Sequence, residues 1–197
     1  MNKWDKIFGS EDFAYGTDPN DFLAENAHLI PQGKVLCLAD GEGRNGVHLA
    51  SLGHQVISLD SSEVGLAKAT KLAEQRGLEI EPLLQDLSDY RFPVNEFSGV
   101  VSIFCHLPPL LRNQVYSQVA QSLKPGGVLL VEAYTPAQLK NDTGGPPIEE
   151  LLASLESLLP ELKDLDIKLG HEIERDVVEG RLHTGKASVV QIIATKK

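Results

Sequence analysis

Short apolar runs alternate along the chain with segments of helical period. Apolar residues follow one another at 35–39, 56–59, 99–104 and 128–131, and a further strand is predicted at 80–84. Strands that are apolar on both faces are typical of a parallel sheet with helices packed on each side. The pattern therefore predicts an α/β fold with one doubly wound sheet.

Amphipathic helices are predicted between these strands. The segments 44–52 and 63–76 are each followed by a glycine, and 109–123 runs into Pro125-Gly126-Gly127. Upstream, Asp18 is predicted to cap a helix that continues to about Ile30, because Pro19 suits the first helical position. We therefore expect a helical arm over residues 1–30.

The pattern changes after residue 135. A Gly-Pro loop at 143–147 precedes leucines at helical spacing over 148–159. Two alternating runs at 166–178 and 187–195 are joined by a glycine-containing turn, which predicts an antiparallel pair at the sheet edge. The whole chain, 1–197, is interpreted as one domain.

The composition narrows the range of partners. The 18 basic and 28 acidic residues give a formal charge of −10, and Lys196-Lys197 is the longest basic run. Nucleic acids and anionic membrane surfaces are therefore not expected as partners. No apolar run approaches the ~18 residues of a membrane span, and two cysteines are too few for a disulfide framework. A cytoplasmic location is expected, and the oligomeric state stays open.

The loop after the first strand carries the main functional motif. Gly41-x-Gly43-x-x-Gly46 opens a helix, and Asp60 ends the next strand 19 positions after Gly41. This arrangement is the dinucleotide-binding fingerprint, which favours NAD(P) with its pyrophosphate on the helix N-terminus. S-adenosylmethionine is the competing ligand, since a strand-end carboxylate can bind the ribose of either cofactor.

Charge separates these two interpretations. Asp40 and Glu42 flank Gly41, and a carboxylate about 5 Å from a phosphate costs roughly 3 kcal/mol at an effective dielectric of about 20. The zwitterionic methionine end of S-adenosylmethionine suits both the acids and the helix start at Arg44-Asn45. Asp86, after the strand at 80–84, either accepts a bond from adenine or caps a turn. Together these positions favour S-adenosylmethionine.

On these motifs the chain resembles the class I S-adenosylmethionine-dependent methyltransferases, in the tellurite-resistance-type and thiopurine-methyltransferase-like branch. The resemblance rests on Gly41-x-Gly43-Arg44-Asn45 with Leu49-Ala50 and Gly53, on Asp60, on Asp86-Leu87 and on Pro125-Gly126-Gly127. It implies a seven-stranded sheet of order 3-2-1-4-5-7-6 with an antiparallel last strand, and S-adenosylhomocysteine as product. Many members carry an acidic residue at the position of Cys37, so in this chain the polar contact near the ammonium is expected to come either from Asp40 or from water.

The candidate cofactor-binding residues come from the loop and the resemblance. They are Tyr15, Asp40, Gly41, Glu42, Gly43, Arg44, Asn45, Asp60, Ser61, Asp86, Leu87 and Phe104.

The methyl acceptor is expected beyond the carboxyl ends of the strands, beside the cofactor. The candidate substrate residues are His106, Tyr134 and His183, and His106 is also the candidate catalytic base. The competing interpretation of His106 is a histidine at a helix start, and that of His183 is a solvent-facing loop residue. Residues 135–165, with the loop at 143–147, are expected near the acceptor, either as a lid or as a passive connection. No metal site is expected.

The leading hypothesis is a methyltransferase that acts on a small molecule. The resemblance favours a soft sulfur, selenium or tellurium nucleophile as the methyl acceptor. Two alternatives stay open, an NAD(P)-dependent oxidoreductase and a non-catalytic module that only binds S-adenosylmethionine.

Overall fold

The fold is built on one seven-stranded sheet, as seen in a computed structural model that describes residues 3–197. The sheet order is β3-β2-β1-β4-β5-β7-β6, and β7 runs antiparallel to both β5 and β6. This confirms the predicted fold class. The strands are β1 (Lys34–Leu38), β2 (Gln55–Asp60), β3 (Glu81–Leu84), β4 (Phe97–Ile103), β5 (Leu123–Tyr134), β6 (Asp166–Glu179) and β7 (His183–Thr195).

Six α-helices accompany the sheet in the described part of the chain. They are α1 (Lys3–Phe8), α2 (Asp21–Asn26), α3 (Arg44–Ser51), α4 (Glu63–Gln75), α5 (Pro109–Ser122) and α6 (Leu155–Glu161). Short 3₁₀ turns follow α2 and β5 and precede α6. Within residues 3–197, no helix has both the length and the apolar character needed to cross a membrane.

Alternation along β1 shows how both faces of the sheet are buried. Leu36 and Leu38 pack with α5 and α6 on one face, whereas Val35 and Cys37 pack with α2 and α3 on the other. Successive side chains of a strand point to opposite faces, so a continuous apolar run fills two cores. The predicted layered architecture follows from this property.

The prediction for the N-terminal arm was wrong in its details. Asn20 caps α2, because its side chain accepts a hydrogen bond from the Leu23 amide at 3.0 Å, and Asp18 lies outside the helix. The α-helix ends at Asn26, and a 3₁₀ turn over Ala27–Leu29 completes the segment before Pro31. Asn20 rather than Asp18 caps the helix because the Asn20 side chain is fully buried and also donates a hydrogen bond to Glu132 in the core.

Several boundaries in the second half also differ from the prediction. Strand β4 ends at Ile103, since Phe104 has a φ of 52° and leaves the extended conformation. The leucine-rich segment 148–159 does not form one helix, because Ser154 starts α6 with a capping box. Strand β7 begins at His183 rather than at residue 187, so the hairpin turn is shorter than expected.

A buried cluster of charged and amide side chains joins the arm, the sheet and the edge hairpin. The Glu132 carboxylate on β5 accepts bonds from Asn20 at 2.5 Å, from Arg175 at 2.7 and 2.8 Å, and from Gln191 at 2.6 Å. Asn20 also donates to Glu179, which forms an ion pair with Arg44 at 2.5 Å. The cluster satisfies charges that would be costly if they were buried alone.

We expect Glu132→Ala to lower the free energy of unfolding by about 3–5 kcal/mol, because Arg175 would lose its main buried partner. The control is Lys168→Ala, which removes an exposed ion pair with Asp166 and should cost less than about 1 kcal/mol. Urea unfolding at neutral pH measures both variants. Equal effects would show that the buried cluster contributes no more than a surface pair.

Candidate functional site

A cavity of about 570 Å³ lies at the carboxyl ends of β1, β2 and β4. Its wall is formed by the glycine loop, the N-terminal arm, the segment after β4 and the loop at 144–147. Most predicted site residues line it, namely Tyr15, Asp40, Gly41, Glu42, Arg44, Asn45, Asp60, Ser61, Asp86, Leu87, Phe104, His106 and His183.

Two predicted residues lie outside the cavity wall. Gly43 has a φ of 83° and packs directly against Ala69 of α4, so its role is to let the loop approach that helix. Tyr134 is fully buried, and its ring stacks on Phe104 and His106 with centroids 4.5 and 5.7 Å apart. It therefore supports two residues of the wall from behind.

Asp60 anchors the glycine loop to the end of β2. Its carboxylate accepts the amide of Gly41 at 2.8 Å and the amide of Ser62 at 2.8 Å. Gly41 has a φ of 57°, and a Cβ there would lie 3.0 Å from the Phe8 ring, so only glycine fits comfortably. Burial raises the pKa of Asp60, yet both oxygens keep further lone pairs for a ligand.

Asp40 is a support of the loop. It is 9% exposed, and it accepts bonds from the Ser58 hydroxyl at 2.7 Å and the Gly46 amide at 3.2 Å. Burial raises its pKa from 3.8 to about 6, against the effect of these two bonds. The expectation that Asp40 waits as a free partner for an ammonium group is therefore not supported by these contacts.

Glu42 is also engaged inside the protein. It accepts the Ala14 amide at 2.8 Å and forms an ion pair with Lys68 at 2.6 Å. Lys68 in turn donates to the carbonyl oxygens of Ser10 and Asp12, both at 2.9 Å, and holds the arm over the loop. The loop is therefore less negative than the sequence suggested, because one of its two acids, Glu42, is paired with the partly buried Lys68.

The start of α3 faces the cavity. Its N-cap residue Gly43 is in the left-handed conformation and has no side chain, and Asp40 accepts the Gly46 amide in the first turn at 3.2 Å. The Arg44 side chain is held by Glu179, and the Asn45 side chain accepts the Asn20 amide at 3.0 Å. The backbone N–H groups at a helix start favour a negative group such as a carboxylate.

Asp86 caps a turn and also borders the cavity. Its carboxylate accepts the Ser88 amide at 2.8 Å and caps a turn, and these bonds from Ser88 lower its pKa. The residue also borders the cavity, together with Gln85, Leu87 and Ser61. The turn cap and a contact with a ligand are thus compatible.

Aromatic rings form a continuous row along the cavity. Phe8 packs edge-on to Tyr15, Tyr15 lies 4.4 Å from His183 between ring centroids, and His183 lies 4.9 Å from Phe104. Phe104 has positive φ, a strained conformation that is found most often at functional sites. The row connects the arm to the residues that follow β4.

His106 lines the cavity with a ring whose Nε2 atom is buried. Its Nδ1 lies 3.2 Å from the carbonyl oxygen of Leu151, and a carbonyl oxygen only accepts, so Nδ1 carries the proton. The Nε2 atom then offers a lone pair and has no hydrogen-bond partner among residues 3–197. Burial, followed by the nearby His183, lowers the pKa of His106 to about 4, so the ring is neutral at physiological pH.

Sequence reasoning missed most of the apolar wall. It passed over Leu107, Leu111, Leu151 and Leu182, and it did not carry Trp4, Ile7 and Phe8 forward as site residues. These residues have the spacing of ordinary core positions, and nothing local distinguishes a leucine in a core from one in a cavity wall. In the described part of the chain, no group of three or more His, Cys, Asp or Glu side chains could hold a metal ion.

Part of the chain is similar in sequence to known methyltransferases. Residues 35–127 match the sequence profile of a family described as "Methyltransferase domain". The chain is 31% identical over 137 residues to the sterol 24-C-methyltransferase ERG6B of Gibberella zeae, covering 64% of this chain and 36% of that protein. It is 28% identical over 143 residues to the probable thiol methyltransferase 2 of Arabidopsis thaliana, covering 68% of this chain and 61% of that protein.

One protein is similar in both sequence and structure. The probable S-adenosyl-L-methionine-dependent methyltransferase TehB of Haemophilus influenzae is 32% identical over 100 residues, covering 46% of this chain and 34% of TehB. Its crystal structure superimposes with a TM-score of 0.74 at 22% identity, over 98% of this chain and 66% of that one. The chain therefore spans only part of the length of these relatives. The resemblance and the fold predicted from the sequence are confirmed.

We expect Asp40→Asn to be at least as stable as the wild type at pH 8. An acid whose pKa is raised on folding makes the native state less stable as pH rises from about 4 through about 6. The gain is at most roughly 2–3 kcal/mol and should vanish below pH 4. Urea unfolding from pH 4 to 8 tests this, with the exposed Asp89→Asn as control. A variant less stable than the wild type at pH 8 would contradict the interpretation.

Proposed function

We propose that this chain, whose residues 35–127 match a methyltransferase domain, transfers a methyl group from S-adenosylmethionine to a small molecule. The observation that carries the proposal is the joint placement of the glycine loop, Asp60 and Asp86 around one cavity at the switch point of the sheet. The start of α3, where the N-cap residue Gly43 has no side chain, and the remaining lone pairs of Asp60 fit the two ends of this cofactor's polar part.

Different residues of the cavity would bind different parts of the cofactor. The N–H groups at the start of α3, beside Arg44 and Asn45, would bind the carboxylate of the methionine part. Asp60 would accept the ribose hydroxyl protons, and Asp86 with Leu87 would border the adenine. Tyr15 and Phe104 would cover the middle of the molecule. Backbone oxygens of the loop are better placed than Asp40 to bind the ammonium, because the Asp40 carboxylate already has two buried donors.

The rate of methyl transfer depends mainly on how the acceptor is positioned relative to the methyl group. S-adenosylmethionine supplies an electrophilic methyl group when it is bound, and holding the acceptor in line recovers a large part of the barrier. His106 lines the cavity and carries a lone pair on its buried Nε2 atom, and we propose it as the base that takes the proton of the acceptor. Tyr134 stacks on this ring and keeps it in place, and His183 closes the other side of Phe104.

The partner implied by this function is a small-molecule methyl acceptor, and the soft nucleophiles suggested by the sequence are the first to test. Both cysteines are buried and free, which is compatible with the cytoplasmic location that we propose.

Binding measurements test the cofactor. We expect S-adenosylhomocysteine to bind in the micromolar range by titration calorimetry and NADH not to bind. Asp60→Asn should weaken S-adenosylhomocysteine roughly 10-fold to 150-fold, because it loses a charged acceptor. Asp89→Asn, an exposed change outside the cavity, is the matched control, and far-UV circular dichroism checks the fold. Tight NADH binding, or an unchanged dissociation constant in Asp60→Asn, would refute the assignment.

Turnover measurements test His106. We expect His106→Phe, which keeps a ring in the stack, to lower kcat roughly 10²-fold to 10⁴-fold for acceptors that lose a proton. The dissociation constant of S-adenosylhomocysteine should not change. An unchanged kcat would show that His106 contributes only to packing and not to proton transfer. A wild-type protein that binds the cofactor but methylates no thiol, amine, phenol or oxyanion would instead be a non-catalytic binding module.

A further inference from the structure

The N-terminal arm forms one wall of the cavity but has little regular structure of its own. Its side chains in that wall include Trp4, Ile7, Phe8 and Tyr15. Helix α1 has six residues, fewer than the roughly 12–15 that an isolated helix needs in water, and residues 9–20 form neither helix nor strand. The position of this wall therefore depends on contacts with the rest of the protein.

Lys68 on α4 binds the arm through main-chain oxygen atoms. Its Nζ atom donates to the carbonyl oxygens of Phe8 at 3.3 Å, Ser10 at 2.9 Å and Asp12 at 2.9 Å. An ammonium group has three N–H donors, so one side chain can bind all three carbonyls. Nζ also lies 4.7 Å from the centre of the Phe13 ring, which is a cation–π contact. One side chain thus contacts the arm over six consecutive residues.

The same ammonium group is paired with the glycine loop. Nζ lies 2.6 Å from Oε1 of Glu42, and the other oxygen of this carboxylate accepts the Ala14 amide of the arm at 2.8 Å. The Lys68 side chain is 16% exposed and that of Glu42 is 3% exposed, so dissolved ions screen this pair only weakly. Lys68 thus holds the arm and the loop at one point of α4.

The arm and the loop are the parts of the cavity wall that Lys68 connects. Phe8 of the arm lies against Gly41 of the loop, where a Cβ would be 3.0 Å from the Phe8 ring, and Tyr15 and Glu42 also line the cavity. Lys68 itself lies outside the cavity wall. Displacement of the arm would withdraw its side chains from a bound molecule, and product release often depends on such a movement.

We propose that Lys68 is a positioning residue for the cofactor, and that its ammonium group limits how fast S-adenosylhomocysteine leaves the cavity. It acts through the arm and through Glu42, which it holds against each other, and it does not touch the ligand. The inference rests on the proposed function, because S-adenosylhomocysteine is the product of that function.

Trp4 is the only tryptophan of the chain, and it lies on the arm in the cavity wall, so its fluorescence reports the position of the arm. We expect Lys68→Met to increase acrylamide quenching of Trp4 in the free protein. Surface plasmon resonance should show a dissociation rate constant for S-adenosylhomocysteine that is roughly 10-fold to 100-fold higher, because several hydrogen bonds from a charged donor are lost.

Lys71→Met is the matched control. Lys71 is an exposed lysine on the same helix, so this change removes the same charge three residues away from Lys68. Quenching of Trp4 and the dissociation rate constant should both equal those of the wild type. Equal dissociation rates in Lys68→Met and Lys71→Met would overturn the proposal.

Further variants separate positioning from a loss of stability. Lys68→Met leaves the buried Glu42 carboxylate without its cation, whereas adding Glu42→Gln removes both charges and keeps an oxygen for the Ala14 amide. This double variant should release the product at least about 10-fold faster than Glu42→Gln alone. Val119→Ala, which shortens a fully buried residue outside the cavity, should destabilise the fold and keep the wild-type rate. Release as fast as in Lys68→Met would show that lost stability explains the effect.

The outcomes distinguish this proposal from the function on which it rests. If the wild type does not bind S-adenosylhomocysteine, the proposed function fails and the role of Lys68 fails with it. If the wild type and Lys68→Met both bind it and release it at the same rate, only the role of Lys68 is wrong. Increased quenching of Trp4 with an unchanged release rate would limit Lys68 to holding the arm and would refute its effect on the cofactor.

Discussion

The fully buried carboxylate of Glu132 is the interaction on which the cavity depends. It receives hydrogen bonds from the start of α2, from β6 and from β7, and through Asn20 and Glu179 it is connected to Arg44 at the start of α3. These segments are distant in the sequence, and together they carry the arm, the glycine loop and the edge hairpin. A charge buried on a central strand requires all of these donors, so the cluster forms only when the walls of the site are in place.

The acidic residues of the glycine loop show how a charge can serve structure before it serves a ligand. Asp60 holds the loop to β2, Asp40 holds the loop to β2 and to α3, and Glu42 holds the arm through Lys68. The loop therefore has a shape that is set independently of any ligand. A rigid, largely satisfied loop offers its backbone and its helix start to a zwitterionic group without a large reorganisation on binding.

The cavity is consequently divided into two chemical environments. At one end Asp60, Asp86 and the start of α3 provide acceptors and donors for a polar molecule, and the other end is lined mainly by leucine, proline and glycine residues together with His106 and His183. The aromatic row from Phe8 to Phe104 runs along the cavity and connects the arm to the residues that follow β4.

The sequence alone was sufficient for the sheet, the order of its strands through the family resemblance, and the positions of Gly41, Asp60 and Asp86, because these features depend on local periodicity and on fixed spacing. It was not sufficient for the cap at Asn20, the supporting roles of Gly43 and Tyr134, or the leucines of the cavity wall. Whether a carboxylate is free, and which nitrogen of a histidine carries the proton, depends on partners brought close only by the tertiary fold. Glu42 meets Lys68, and His106 meets the Leu151 carbonyl, across stretches of chain that no local pattern connects.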